Sequence, residues 1–128
     1  PRENLRFQAR LHGVTAERVE EVLAQVGMER RAASPLRELS RGMVQRLAAA
    51  RAVLPDPPLM LLDEPRAGLD PGAAEQLEPL IGRSSGRTRV LVTHDVERGL
   101  AEADVVLGLR DGRAVACGGA DDVRGLYS

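Results

Sequence analysis

Apolar residues recur along this chain with two different periods, that of helices and that of strands. Val19, Val22, Leu23 and Val26 repeat at the spacing of an amphipathic helix, with Thr15 placed to cap its start and Gly27 to stop it. A second helix is capped by Ser40, has its body over residues 43–54 in strong helix formers, and closes at Pro55. Residues 3–11 read two ways. Leu5, Phe7, Ala9 and Leu11 alternate as in a strand, whereas Glu3-Asn4-Leu5 with Arg6 and Arg10 suits a helix ended by His12-Gly13. Residues 28–38 are polar and Arg-rich, with a short helix expected over 35–38.

Beyond the rigid turn Asp56-Pro57-Pro58, strands alternate with helices. Leu59-Met60-Leu61-Leu62 reads as a buried parallel strand, and Asp63-Glu64-Pro65 ends it at the edge where open α/β sheets bind ligands. Residues 88–93 form a second apolar, β-branched strand, also expected to be buried, and it ends at His94. Between the strands, Asp70 caps a helix that starts at Pro71 and runs to about Ile81, with Pro79 implying a kink or an early stop. Ser84-Ser85-Gly86 is a loop, and Asp95 caps a helix running to about Ala103. Residues 104–109 are a strand, Arg110-Asp111-Gly112-Arg113 is a hairpin turn, and Ala114-Val115-Ala116 returns from it. Residues 118–128 are expected to form a short terminal helix. The fold class is therefore α/β, with a helical part over 1–54 and a sheet-bearing part over 55–128.

Composition changes this picture at few points. The 128 residues, 43% of them hydrophobic, are enough for one core. A net charge of −1 suggests neither nucleic acid nor an anionic membrane surface. The single cysteine, Cys117, excludes an intrachain disulfide and a cysteine-based metal site. No apolar run approaches the length of a membrane span. All 18 cationic residues are arginine, so no lysine exists to bind phosphate as a point charge.

Two features carry chemistry. Adjacent carboxylates at the end of an apolar strand can divide the work of phosphate chemistry, Asp63 holding Mg²⁺ and Glu64 taking a proton from an attacking water. The plain alternative is that Asp-Glu-Pro ends the strand in a solvated turn. The start of the helix after Ser40 offers free amides, the positive end of the helix dipole, and a small Gly42 that lets a phosphate approach.

In order, Leu39-Ser40-Arg41-Gly42-Met43, the strand ending at Asp63-Glu64, Ala67-Gly68-Leu69-Asp70 and Thr93-His94-Asp95 resemble the signature motif, Walker B strand, D-loop and switch histidine of the ATP-binding subunits of ABC transporters. The resemblance spans residues 3–118 and implies part of a P-loop NTPase domain: a helical subdomain, mostly parallel strands with flanking helices, and a C-terminal β-hairpin. It implies ATP and Mg²⁺ as cofactors, with Asp63 on the metal and Glu64 and His94 catalytic. Ser40, Arg41, Gly42 and Met43 would bind the ATP of the opposite subunit in a head-to-tail dimer, and Asp70 would lie at that interface. A second ATPase subunit and a transmembrane permease are the implied partners, with no nucleic acid, and the implied location is cytoplasmic, on the inner face of the membrane. Arg41 and Met43 depart from the commonest Leu-Ser-Gly-Gly-Gln, and this version resembles that of the cytochrome-c-maturation haem-exporter ATPase and related exporters.

The family's phosphate loop, G-x-x-x-x-G-K-[ST], needs a lysine and is therefore absent from these residues. The chain accordingly reads as a C-terminal portion, inactive by itself, whose strand edges and apolar faces favour self-association. Two other readings are a non-catalytic interaction or regulatory module derived from such an ATPase, and a soluble ABC ATPase outside transport.

Overall fold

Four of the helices begin where a side-chain oxygen meets a free amide. In α2 (Ala16–Gln25) Thr15 Oγ1 accepts from Arg18 N at 3.4 Å, and in α3 (Arg41–Val53) Ser40 Oγ accepts from Met43 N at 3.2 Å. In α4 (Pro71–Ile81) Asp70 Oδ1 accepts from Ala73 N at 3.0 Å, and in α5 (Val96–Glu102) Asp95 Oδ1 accepts from Arg98 N at 3.1 Å. The doubly readable start is a helix, α1 (Arg2–His12), closed by Gly13 in the left-handed conformation at φ 67°. Packing decides between its two periods. Leu5 and Ala9, four residues apart, are buried, whereas Phe7 and Leu11 are exposed.

The computed structural model describes residues 1–124, in two compact units, Pro1–Val90 and the stretch from Leu91 on. In the first unit α1, α2 and α3 pack together and α3 also packs on α4. Leu5, Val19, Leu23, Met28, Leu47 and Val53 are among its buried side chains. Each such side chain contributes roughly 1.5–3 kcal/mol by leaving water. Short 3₁₀ turns occupy Glu29–Arg31, Leu36–Glu38 and Arg83–Ser85, so the short helix expected over 35–38 is a single 3₁₀ turn and the loop after α4 contains another. Helix α4 runs to Ile81 as expected, with Pro79 inside it and no early stop at the proline.

Strand β1 (Leu59–Asp63) pairs with β2 (Thr88–Val92) in a parallel two-stranded sheet. Both strands were expected to be buried, and neither is buried on both faces. Met60 and Leu62 point into the core, while Leu59 is 48% and Leu61 75% exposed; Val90 and Val92 are exposed as well. A continuous apolar run encodes two covered faces, and these residues supply a cover for one.

In the second unit β3 (Val105–Arg110) pairs antiparallel with β4 (Arg113–Gly119), from Val105 opposite Gly119 to Arg110 opposite Arg113, with an irregularity between Gly108 and Leu109. Asp111 and Gly112 both have positive φ, 51° and 74°, as the Asp-Gly turn requires. Strand β4 runs three residues beyond Ala116 because pairing with β3 carries it through Gly118 and Gly119. A short helix α6 (Ala120–Arg124) packs on both strands and on α5; the rest of the expected terminal helix lies outside the described residues.

Two exposed ion pairs couple the first unit to pH. The Arg2 guanidinium holds the Glu20 carboxyl below its ordinary value by hydrogen bonding at 2.8 Å, and Arg87 does the same for Asp56. A depressed folded-state pKa stabilises above the unfolded value, and that contribution is lost as pH falls through the folded one. Stability should therefore decline as pH drops from above 4.5 to below 3.8. In chemical denaturation at a series of pH values, Asp56→Asn should flatten that decline by a small amount, since solvent screens the pair; an unchanged slope would mean Arg87 gives Asp56 nothing.

Candidate functional site

The first turn of α3 is an anion-ready helix end. Its cap, Ser40, satisfies the amide of Met43, and Val44 N begins the helical ladder on Ser40 O at 3.0 Å. The amides of Arg41 and Gly42 precede that first ladder bond, so they face outward along the axis. No acidic residue sits in this turn, and Arg41 places a positive charge where the dipole favours a negative one. An incoming anion would relieve that mismatch. Gly42 is not required by the packing of this chain: a β-carbon there would meet only Leu69 Cδ2 at 3.6 Å, an ordinary contact. Met43, half-buried, contributes its amide to the cap.

Opposite this turn runs the loop from Glu64 to Asp70. Asp63, the last residue of β1, is exposed, and Glu64 follows it half-buried with φ 44°. Left-handed backbone is unfavourable for a glutamate, and a following proline disfavours helical conformations further, so the loop stores about 1–3 kcal/mol at this residue. Three attachments hold it. Gln45 Nε2 of α3 donates to Pro65 O at 2.9 Å. Arg66, its side chain only 8% exposed, is ion-paired through Nη2 to Glu78 Oε2 of α4 at 2.6 Å. The Arg41 guanidinium lies over Gly68, whose φ is 72°; a β-carbon on Gly68 would come within 2.8 Å of Arg41 Cζ. Asp70, besides closing the loop, caps α4.

Ser40, Arg41, Gly42, Met43, Asp63, Glu64 and Asp70 therefore all lie in the first unit, with the helix turn against the loop that follows the carboxylates. His94 belongs to the second unit. It is exposed just after β2, next to a turn in which Asp95 N donates to Thr93 Oγ1 at 3.1 Å. Among the described residues no group of three or more His, Cys, Asp and Glu side chains gathers in a metal-ligating arrangement. Mg²⁺ needs none, because it takes one or two carboxylates and completes its shell with phosphate oxygens and water. Asp63 and Glu64, exposed or half-exposed oxygen donors at a strand end, fit that donor set.

The sequence gives no hint of the roles of Gln45, Arg46 and Arg66. Arg46 Nη1 donates to Gln76 Oε1 at 2.9 Å and to Val26 O at 3.3 Å, joining the end of α2 to α4. The available signal was polarity alone: two long polar side chains in succession, in a helix whose neighbouring residue Leu47 is core.

The contact of Arg41 with Gly68 can be measured. Gly68→Ala should destabilise the fold by about 1–2 kcal/mol in denaturant unfolding, through the strained φ and the displaced guanidinium. In an Arg41→Ala background that cost should shrink by roughly 0.5 kcal/mol. Strict additivity would show that the two residues do not touch.

The model of the ABC transporter family matches residues 1–67. A fluoroquinolones export ATP-binding protein of Mycobacterium tuberculosis is 42% identical over 117 residues, 89% of this chain and 38% of that protein. A zinc import ATP-binding protein of Halorhodospira halophila is 41% identical over 118 residues, 90% of this chain and 45% of that protein. A solved structure described as the ATP binding subunit of an ABC transporter superposes with a TM-score of 0.84 at 31% identity, over 98% of this chain and 55% of that one. The chain thus spans less than half the length of these two relatives and about half of the solved one. The chain therefore belongs to the ABC transporter family, on the side of its ATP-binding subunits.

Proposed function

We propose that these residues are the signature-bearing portion of a subunit that binds and hydrolyses ATP to energise transport across a membrane, with export the direction favoured by the Leu39-Ser40-Arg41-Gly42-Met43 signature. The observation that carries this is the open first turn of α3 beside the loop held at Glu64. Residues 1–54 act as the helical subdomain and 55–128 as part of the ATPase core. In a head-to-tail dimer, Ser40 and the amides at Arg41 and Gly42 receive the γ-phosphate of the ATP held by the second subunit, Arg41 adds positive charge, and Met43 closes the turn. Asp70 lies at the same interface.

Within its own subunit Glu64 accepts a proton from the attacking water and His94 steadies the γ-phosphate. Asp63 would hold Mg²⁺, which would supply charge neutralisation on the phosphates. The lysine-bearing loop that cradles the β- and γ-phosphates is supplied from outside these residues, which hydrolyse nothing alone. The exposed faces of β1 and β2 support this reading, since apolar strands of this kind are covered on both sides in a complete domain. A transmembrane permease is the other partner, which puts the subunit on the cytoplasmic face of the membrane; no helix among the described residues is long and apolar enough to cross one.

In the complete subunit, Glu64→Gln should lower Mg·ATP turnover by roughly 10²- to 10⁴-fold, the usual worth of a general base, and leave ATP binding intact. Turnover within a factor of about two of the original would return Asp63-Glu64-Pro65 to a solvated turn.

A further inference from the structure

The carbonyls of the loop after β1 are satisfied one by one. Glu64 O accepts from Ala67 N at 3.0 Å and Arg66 O accepts from Leu69 N at 3.1 Å, both within the loop. The carbonyl between them, Pro65 O, takes its donor from another element: Gln45 Nε2, at 2.9 Å and partly buried. The Pro65 ring fixes its own φ, so holding Pro65 O also restrains the peptide that joins it to Glu64. This is the residue directly after Glu64, whose φ of 44° has to be maintained by its surroundings. Gln45 also lies only three residues beyond Gly42, on the face of α3 turned toward the loop.

We propose that Gln45 is a positioning residue for Glu64. Its amide holds the Pro65 carbonyl and, through the rigid proline, the direction of the adjoining Glu64 carboxylate, from the same helix whose first turn carries Ser40 and Gly42. The inference rests on the reading of Glu64 as the general base. It makes one side-chain hydrogen bond the tie between the turn that faces one ATP and the carboxylate that faces the other. A purely structural fastening of the loop would alter stability; positioning alters turnover without altering ATP affinity.

The test is steady-state Mg·ATP hydrolysis by the complete subunit. Gln45→Glu keeps the length and volume of the side chain and removes the donor; kcat should fall by roughly tenfold or more, with KM for ATP within about twofold of the original. Gln45→Lys restores an N–H donor and should keep about half of the original kcat or more. The proposal is overturned by Gln45→Glu turning over at the original rate, by an effect confined to KM, or by an equal loss in Gln45→Lys. Should Gln45→Glu not fold, Gln45→Met, of similar length and without a donor, takes its place under the same criteria. Absence of hydrolysis in the unsubstituted subunit would overturn the ATPase reading itself, whereas a hydrolysing subunit indifferent to residue 45 overturns this inference alone.

Discussion

The first turn of a helix has donors that its own backbone cannot use, and the structure is arranged around leaving two of them available on α3. Ser40 takes one amide, the ladder starts at Val44, and the amides of Arg41 and Gly42 stay open. The other end of the helix is immobilised: Leu47, Ala50 and Val53 are buried against its neighbours. An anion site of this kind depends on rigidity, because its donors contribute most when no reorganisation accompanies binding. The open turn and the anchored body are therefore two halves of one requirement.

The loop from Glu64 to Asp70 meets the same requirement from the sheet side. A strand places a carboxylate at its end with little freedom, but the left-handed Glu64 has to be held there by something else. Gln45 from α3, the Arg66–Glu78 pair to α4 and the Asp70 cap supply that restraint from three directions. Removing any of them frees a strained backbone at the position where the account puts the general base. The departure from a glycine-rich signature has its own physical consequence here. Arg41 brings a guanidinium that covers Gly68, a contact that a glycine at 41 would lack.

How much of this was legible in the sequence depended on the range of the interaction. A few neighbouring residues mark Thr15, Ser40, Asp70 and Asp95 as caps, and each accepts from the amide three residues on. Asp111-Gly112 specified its turn in the same way. The α1 segment was ambiguous because its apolar residues fit two periods, and only burial of Leu5 and Ala9 selects one. Exposure of Leu59, Leu61, Val90 and Val92 was not legible, because a pattern records what a strand needs covered and not what covers it. The anchoring by Gln45 and Arg66 spans 20 and 12 residues along the chain, beyond the reach of any local pattern. The candidate site was thus readable as a set of residues and unreadable as a set of contacts.

In the proposed function this chain carries the signature and the carboxylates of an ATPase site while the phosphate cradle comes from elsewhere. Calorimetric titration of Mg·ATP into the purified 128-residue chain addresses it most directly. No binding should be detectable at micromolar to submillimolar nucleotide. Saturable micromolar binding would contradict the proposed function, since these residues would then form a complete nucleotide site without a lysine, and the roles given to Arg41 and His94 would have to be rebuilt around that site.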